Sequence, residues 1–370
     1  MQVNKLWNIK FNGAILGIEL GDINNNGEVE IIAFSQTGIL LILSQNGKLI
    51  HQEVISKDIP IWHLKIYDID NDGKNELIIG GMDGILRTFK CTLTYELVKV
   101  WTHNFNSSIS GILIDDINFN NISEIIVYSL DKTIRVLNPF DGSLIWGQIF
   151  EDGIGDAIIF KDDRKLIIAC GNDGTIRSFN GIDGELLWFK RFSSKVRCVS
   201  YLNSIKGFVV LCGGDDKKLH FIDQKTQNEI ETIEFKDYVW KCISYPVSNY
   251  NNSLISTYSF DYLEDSLEVE NINFSSKLIS INELLEIKWE LKGYNIECLQ
   301  INEICNKILV FAGTTKGELI IIEEKTGSIL YDKAYKACLN MIQYFTKKNL
   351  LFCCYDDGTI SAYKLINNSD

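Results

Sequence analysis

The stretch DIDNDGKNE, residues 68–76, places carboxylates at its first, third, fifth and ninth positions and a glycine at its sixth. A hard cation such as calcium takes about six to eight oxygens, and side chains at alternate positions of a tight loop can converge on it while the glycine permits the turn. Asp68, Asp70, Asp72 and Glu76 are therefore candidate ligands, with a backbone carbonyl completing the shell. The frame recurs in DINNNGEVE, residues 22–30, which offers Asp22, Asn24, Asn26 and Glu30. It recurs again in DINFNNISE, residues 116–124, which offers Asp116, Asn118, Asn120 and Glu124, with Asn121 in place of the glycine. The three starts lie 46 and 48 residues apart, and only the copy at 68 offers four carboxylates. An EF-hand is excluded, because it needs a bidentate glutamate at the twelfth position and a helix after it. That position is Ala33 or Ile79 here, and a strand pattern follows. The rival reading is a turn held by its own Asn and Asp side chains through hydrogen bonds to the backbone. Under either reading the loop braces a hairpin. Every ligand would come from one closed loop with no open position facing a substrate, so a catalytic metal is not expected.

Other chemistry is sparse. The four histidines, 51, 63, 103 and 220, are scattered, and the ten cysteines show no C-x-x-C spacing and sit mostly inside apolar runs. That is the pattern of free cysteines acting as small buried hydrophobes in a reducing compartment, so a cytoplasmic location without disulfides or zinc is expected. Acidic pairs at 115–116, 162–163, 215–216 and 356–357 fall in separate turns and are expected to be solvated. No nucleophile elbow, P-loop or Cys/His nucleophile arrangement is present. A net charge of -13 argues against nucleic acid, which needs a basic face, and against anionic membrane surfaces. The start, MQVNKLWNIKF, has no long apolar signal region, and no apolar run approaches a membrane span.

The elements that position the loops are repeats. LIIGGMDGILRTF (77–89), LIIACGNDGTIRSF (166–179), FVVLCGGDDKKLHFI (208–222), ILVFAGTTKGELIII (308–322) and LLFCCYDDGTISAY (350–363) each join an apolar run, a Gly/Asp turn and an alternating run. Each is a β-hairpin by pattern. A further strand follows most of them, with one slot held in turn by His51, Trp101, Trp146, Trp188, Thr232, Trp289 and Tyr331. The last hairpin lacks that strand, and NKLWNIKF near the start, with Trp7 in the slot, supplies it. Eight slots predict one all-β domain over 1–370, an eight-bladed β-propeller whose last blade is closed by residues 1–11. Seven blades is the runner-up, because the slot spacing stretches to 57 residues between 232 and 289. Residues 248–276 there read as an extended loop insertion carrying Asp261, Glu264, Asp265, Glu268 and Glu270. Its aromatic and apolar members Tyr258, Phe260, Tyr262 and Leu263 are candidate partner-binding residues.

The D-x-[DN]-x-[DN]-G-x-x-[DE] loop between the first strands of a blade resembles the FG-GAP/VCBS repeats of integrin-like propellers, over blades one to three. The resemblance implies loops that bind calcium and stiffen the blade. The closing acid in that family is more usually aspartate, whereas Glu30, Glu76 and Glu124 stand here. Blades four and five, with FNGIDGELLW, look like the tryptophan-docking repeats of PQQ-like propellers, and the blade-four loop FKDDRKL is too short to hold a cation. Intracellular propellers of FG-GAP-like and WD40-like type imply a non-enzymatic scaffold, a subunit of a trafficking or signalling complex that binds other proteins. The expected cofactor is structural Ca2+, and no organic cofactor is expected. A secreted, calcium-stiffened adhesion module and a quinoprotein-like enzyme are the alternatives, and fold alone does not decide among them.

Overall fold

The structure, a computed structural model, describes residues 1–161, 164–247, 250–260 and 275–366. Eight antiparallel sheets of four strands each make an eight-bladed β-propeller. Strand β1 spans Gln2–Lys10. Blade one holds β2 (Ile15–Gly21), β3 (Glu30–Ser35), β4 (Ile39–Leu43) and β5 (Leu49–Val54). Blade two holds β6 (Ile61–Tyr67), β7 (Glu76–Gly81), β8 (Ile85–Cys91) and β9 (Leu97–Asn104). Blade three holds β10 (Ile109–Asp115), β11 (Glu124–Ser129), β12 (Thr133–Leu137) and β13 (Leu144–Ile149).

Burial explains why the repeats read as they do. The second strands β3, β7 and β11 are buried at every residue, which is why they are near-continuous apolar runs. The fourth strands are mostly exposed or half-buried, so they alternate with a period of two. All eight slot residues lie on fourth strands. Two of the tryptophans among them bond to the neighbouring blade. Trp101 Nε1 donates to the Pro139 carbonyl at 2.8 Å, and Trp7 Nε1 to the Gln45 carbonyl at 3.1 Å. Gly142, at φ +67°, lets the turn reach the indole, because a Cβ there would lie 2.5 Å from the Trp101 ring.

The chain forms two compact units, one of Met1–Ile149, Glu297–Ile322 and Ile329–Asp370, the other of Phe150–Ile296 with Glu323–Ser328. In the first, β1 pairs antiparallel with the strand Thr359–Ile366, from Gln2 opposite Ile366 to Lys10 opposite Thr359. In the second, the blade-six strand Tyr250–Tyr258 pairs along its whole length with Tyr238–Val247. The expected insertion over 248–276 is thus shorter than its sequence implied. Asn and Ser interrupt the apolar alternation of YNNSLISTY, and the segment is a strand all the same because every residue finds a partner in register. The remaining connection runs from Ser259 to the strand beginning at Lys277, and residues 261–274 of it lie outside the described residues.

Candidate cation-binding loops

The three acidic loops connect β2 to β3, β6 to β7 and β10 to β11, and they share one hydrogen-bond scheme. The first-position aspartate caps the turn with both oxygens. Asp68 accepts from the Asp72 and Gly73 N–H groups at 3.1 and 2.9 Å, Asp22 from Asn26 and Gly27 at 3.1 and 2.8 Å, and Asp116 from Asn120 and Asn121 at 3.0 and 2.8 Å. The fourth and sixth positions are left-handed in each, with φ +58° and +82° at Asn71 and Gly73, and +63° and +66° at Phe119 and Asn121. A phenylalanine in that region is uncommon, and the two capped N–H groups hold it there. The closing glutamate opens the second strand and turns one oxygen back into the loop. Glu30 Oε2 accepts from Ile23 N–H at 3.2 Å, while Glu76 and Glu124 accept from Ile69 and Ile117 at 3.0 Å each. Those isoleucines are buried. Ile23 packs with Leu64, Leu77 and Phe89 of blade two, and Ile69 with Ile109 and Ile112 of blade three, so the loops of blades one and two are pinned to the next blade.

The loops differ at the other glutamate oxygen. In blade one, Glu30 Oε1 accepts from the Tyr95 hydroxyl at 3.1 Å, reached from the β8–β9 turn of the neighbouring blade. In blade three, Glu124 Oε1 accepts from the Asn118 amide. In blade two the Lys90 ammonium lies 2.7 Å from Asp70 Oδ2, 3.0 Å from Asp72 Oδ2 and 3.4 Å from Glu76 Oε1. Lys90 arrives from β8, directly opposite Glu76 in the β7–β8 register. Glu76 is only 1% exposed, and its Oε1 makes no hydrogen bond among the described residues, so the ammonium serves it by charge at contact range. Burial pushes all three closing glutamates above the ordinary carboxylate range, and at Glu76 the Asp70 carboxylate adds to the rise. Lys90 is pushed up in turn by its bonds to Asp70 and Asp72.

Calcium, the ion the resemblance implies, can be tested against this geometry. Ligand oxygens of Asp68, Asp70 and Glu76 lie within 4.8 Å of one another, and they are the one such acidic or His/Cys group among the described residues. The donor chemistry fits a hard cation. The point on which Asp70, Asp72 and Glu76 converge is, however, taken by the chain's own ammonium. In blades one and three the candidate ligands Asp22, Asn24, Asn26 and Glu30, and Asp116, Asn118, Asn120 and Glu124, are spent largely on backbone and amide hydrogen bonds.

The predicted partner-binding residues fall otherwise. Tyr258 is buried, its ring 4.9 Å from those of both Trp240 and Phe260. Phe260 also packs 5.6 Å from Trp240. Both serve the packing of blade six, because the strand ends there and its last aromatics close over the sheet. Tyr262 and Leu263 lie outside the described residues. Two polar clusters were missed in the sequence, the first of which carried no signal there. Glu324, buried, accepts from the Tyr245 hydroxyl, the Asn252 amide, the Ser280 hydroxyl and the Lys288 ammonium, while its carbonyl accepts from Trp289 Nε1 at 2.6 Å. His220 lies between Asp216 at 2.8 Å and Glu229 at 3.0 Å, on the face of Phe192. It stands where Arg87, Arg135 and Arg177 pair with Asp83, Asp131 and Asp173 four residues earlier in three other hairpins, and that recurring D-x-x-x-[RH] spacing was legible.

No protein-family profile matches the chain, and no curated protein matches it by sequence. By fold it is similar to the computationally designed Ika8 protein, at 16% identity and a TM-score of 0.72 over 98% of this chain and 100% of that one. It is similar to BamB from Moraxella catarrhalis, at 16% identity and 0.66 over 98% and 100%, and to Saccharomyces cerevisiae Sqt1, at 11% and 0.76 over 99% and 100%. At such identities the likeness establishes the propeller fold and nothing narrower.

Proposed function

We propose that this protein is a non-enzymatic scaffold that binds another protein along the outer edge of blade three. The supporting observation is the composition of β13, LIWGQI, the only one of the eight fourth strands without a charged residue. Edge strands are ordinarily protected from pairing by charges, lysine above all. The other seven carry them, from Glu53 on β5 and Lys99 on β9 to Lys5 and Lys10 on β1. On β13, Leu144 and Ile145 are 54% and 47% exposed, and Phe140 in the preceding turn is 50% exposed. An edge of this kind accepts an extended apolar segment by strand addition, main-chain hydrogen bonds supplying affinity and alternate side chains specificity. The acidic loops brace the hairpins behind this edge. Calcium, as a structural ion, has its simplest place in the loop of blade one, where Tyr95 brings a hydroxyl to Glu30. A role inside the cell, in a trafficking or signalling complex, follows from the resemblance of the repeats.

The test is capture of partners by the tagged full chain from its own cell lysate, with calcium or EGTA, for three forms: the unaltered chain, L144K/I145K, and a chain with residues 261–274 replaced by a short Gly/Ser turn. A stoichiometric partner lost only in L144K/I145K, with circular dichroism unchanged, supports the edge. Loss only on replacement of 261–274 would move the interface to the segment holding Tyr262 and Leu263. Retention in both variants removes both surfaces.

A further inference from the structure

The oxygen-rich loop of blade two raises a question the resemblance cannot answer, since the loop with the most acid is the one that contains a lysine. Asp68 spends its two oxygens on the backbone N–H groups of Asp72 and Gly73. The remaining three carboxylates, Asp70, Asp72 and Glu76, face the Lys90 ammonium at 2.7, 3.0 and 3.4 Å. Cross-strand register accounts for the arrangement. Lys90 is paired with Glu76, and one residue beyond the paired ladders Ser44 stands opposite Glu30 and Asn138 opposite Glu124. Neither of those is charged, and there the second glutamate oxygen is met by a neutral donor, Tyr95 or Asn118. Excess acid and fixed cation thus occur together, in one loop of the three.

We infer that the blade-two loop is a cation site whose resident cation is the ammonium of Lys90, that the native chain takes no divalent ion there, and that removing the ammonium exposes a site for a hard divalent ion such as calcium. Calcium binds carboxylate oxygens at about 2.3–2.6 Å and would occupy the same point. A second positive charge cannot be seated beside the ammonium, so the two cations exclude each other. Once the ammonium is gone, Glu76 keeps a buried oxygen with no hydrogen-bond partner, directed at the vacated point that Asp70 and Asp72 also face, with an Asp68 oxygen within 4.8 Å of those of Asp70 and Glu76. A tethered ammonium also makes the brace independent of the calcium concentration around the protein.

The experiment compares the full chain with Lys90→Met, a neutral residue of similar length, using calcium as the probe. Equilibrium dialysis against calcium counts bound ions, and calorimetric melting is recorded in EGTA and in calcium. The expected result is one more bound calcium in Lys90→Met than in the native chain. Its melting temperature falls by about 1–3 °C in EGTA and is largely restored by calcium, and Lys90→Met/Asp70→Asn loses the extra ion. Counting the difference between chains keeps any ion bound in blades one and three out of the result. Equal calcium stoichiometry in the native chain and Lys90→Met overturns the inference. Should Lys90→Met fail to fold, Asp70→Asn alone decides, because the native count must then stay the same, and a fall by one ion would show that the native loop holds calcium after all.

Discussion

The loops of blades two and three are built on one backbone and closed by opposite means. Each caps two N–H groups with its first aspartate, places left-handed residues at its fourth and sixth positions, and returns a buried glutamate oxygen to the N–H of a buried isoleucine. Blade two then neutralises its remaining carboxylates with Lys90, while blade three has fewer of them and satisfies Glu124 with the Asn118 amide. The shape of such a loop therefore follows from hydrogen bonds to its own backbone, and its charge is a separate variable, set by what the third strand brings opposite the glutamate. A loop motif read as a metal signature reports the first property and is silent on the second.

The comparison is most severely tested where the two loops should behave alike. Ile69→Ala and Ile117→Ala each remove a buried side chain that pins a loop, and each should cost about 2–4 kcal/mol in chemical denaturation. Costs differing by more than about twofold would mean that the loops are not fastened by the same contact. A smaller effect should separate them. The Lys90–Asp70 contact is partly exposed, so about 0.3–1 kcal/mol of the stability that Lys90 contributes in EGTA should disappear between low and molar salt. An Asn118→Leu variant in blade three should show a salt-independent cost, and parallel salt dependence in the two variants would erase the distinction. The smallest effect comes from blade five, whose cation can be switched off. Burial alone would lower the His220 pKa, but its bonds to Asp216 and Glu229 outweigh burial and raise it above the ordinary value, while Glu229 is held down at about 2. A raised histidine contributes stability that is fully present below its unfolded pKa, about 6.5, and is lost as the pH rises through the folded value. The native chain should lose stability over that alkaline side and His220→Gln should not. Identical pH profiles would show that the two carboxylates do not hold a charged imidazolium.

Much of this architecture was legible in the residues. The blade period was readable because every fourth strand repeats one slot, and the closing role of the first strand because Trp7 filled the slot the last hairpin lacked. The acidic loops were readable because their ligating side chains are local. Lys90 was not, since it lies 14 residues beyond Glu76 and meets the loop only through strand pairing, yet counting across the LIIGGMDGILRTFK hairpin would have placed it there. Tyr95 and Glu324 were hidden for a stronger reason, because each reaches into a neighbouring blade and only the packed structure brings the partners together. Tyr258 was misplaced because Asn252, Ser253 and Ser256 are buried in its strand beside Leu254 and Ile255, so the strand shows little alternation in hydropathy.

The pairing of Gln2 with Ile366 sets the order in which the protein can be made. Strand β1 emerges from the ribosome before the rest of the propeller and waits for a partner 364 residues downstream, so the propeller's first strand is seated only once its last is made. The extra chain entropy of so long a wait is modest, since each doubling of loop length costs only about 0.6 kcal/mol. The time matters more. Throughout it a nine-residue strand with Leu6, Trp7 and Ile9 has no sheet to join. Lys5 and Lys10, standing among those apolar residues, are the gatekeepers that keep it from pairing with another unfinished chain.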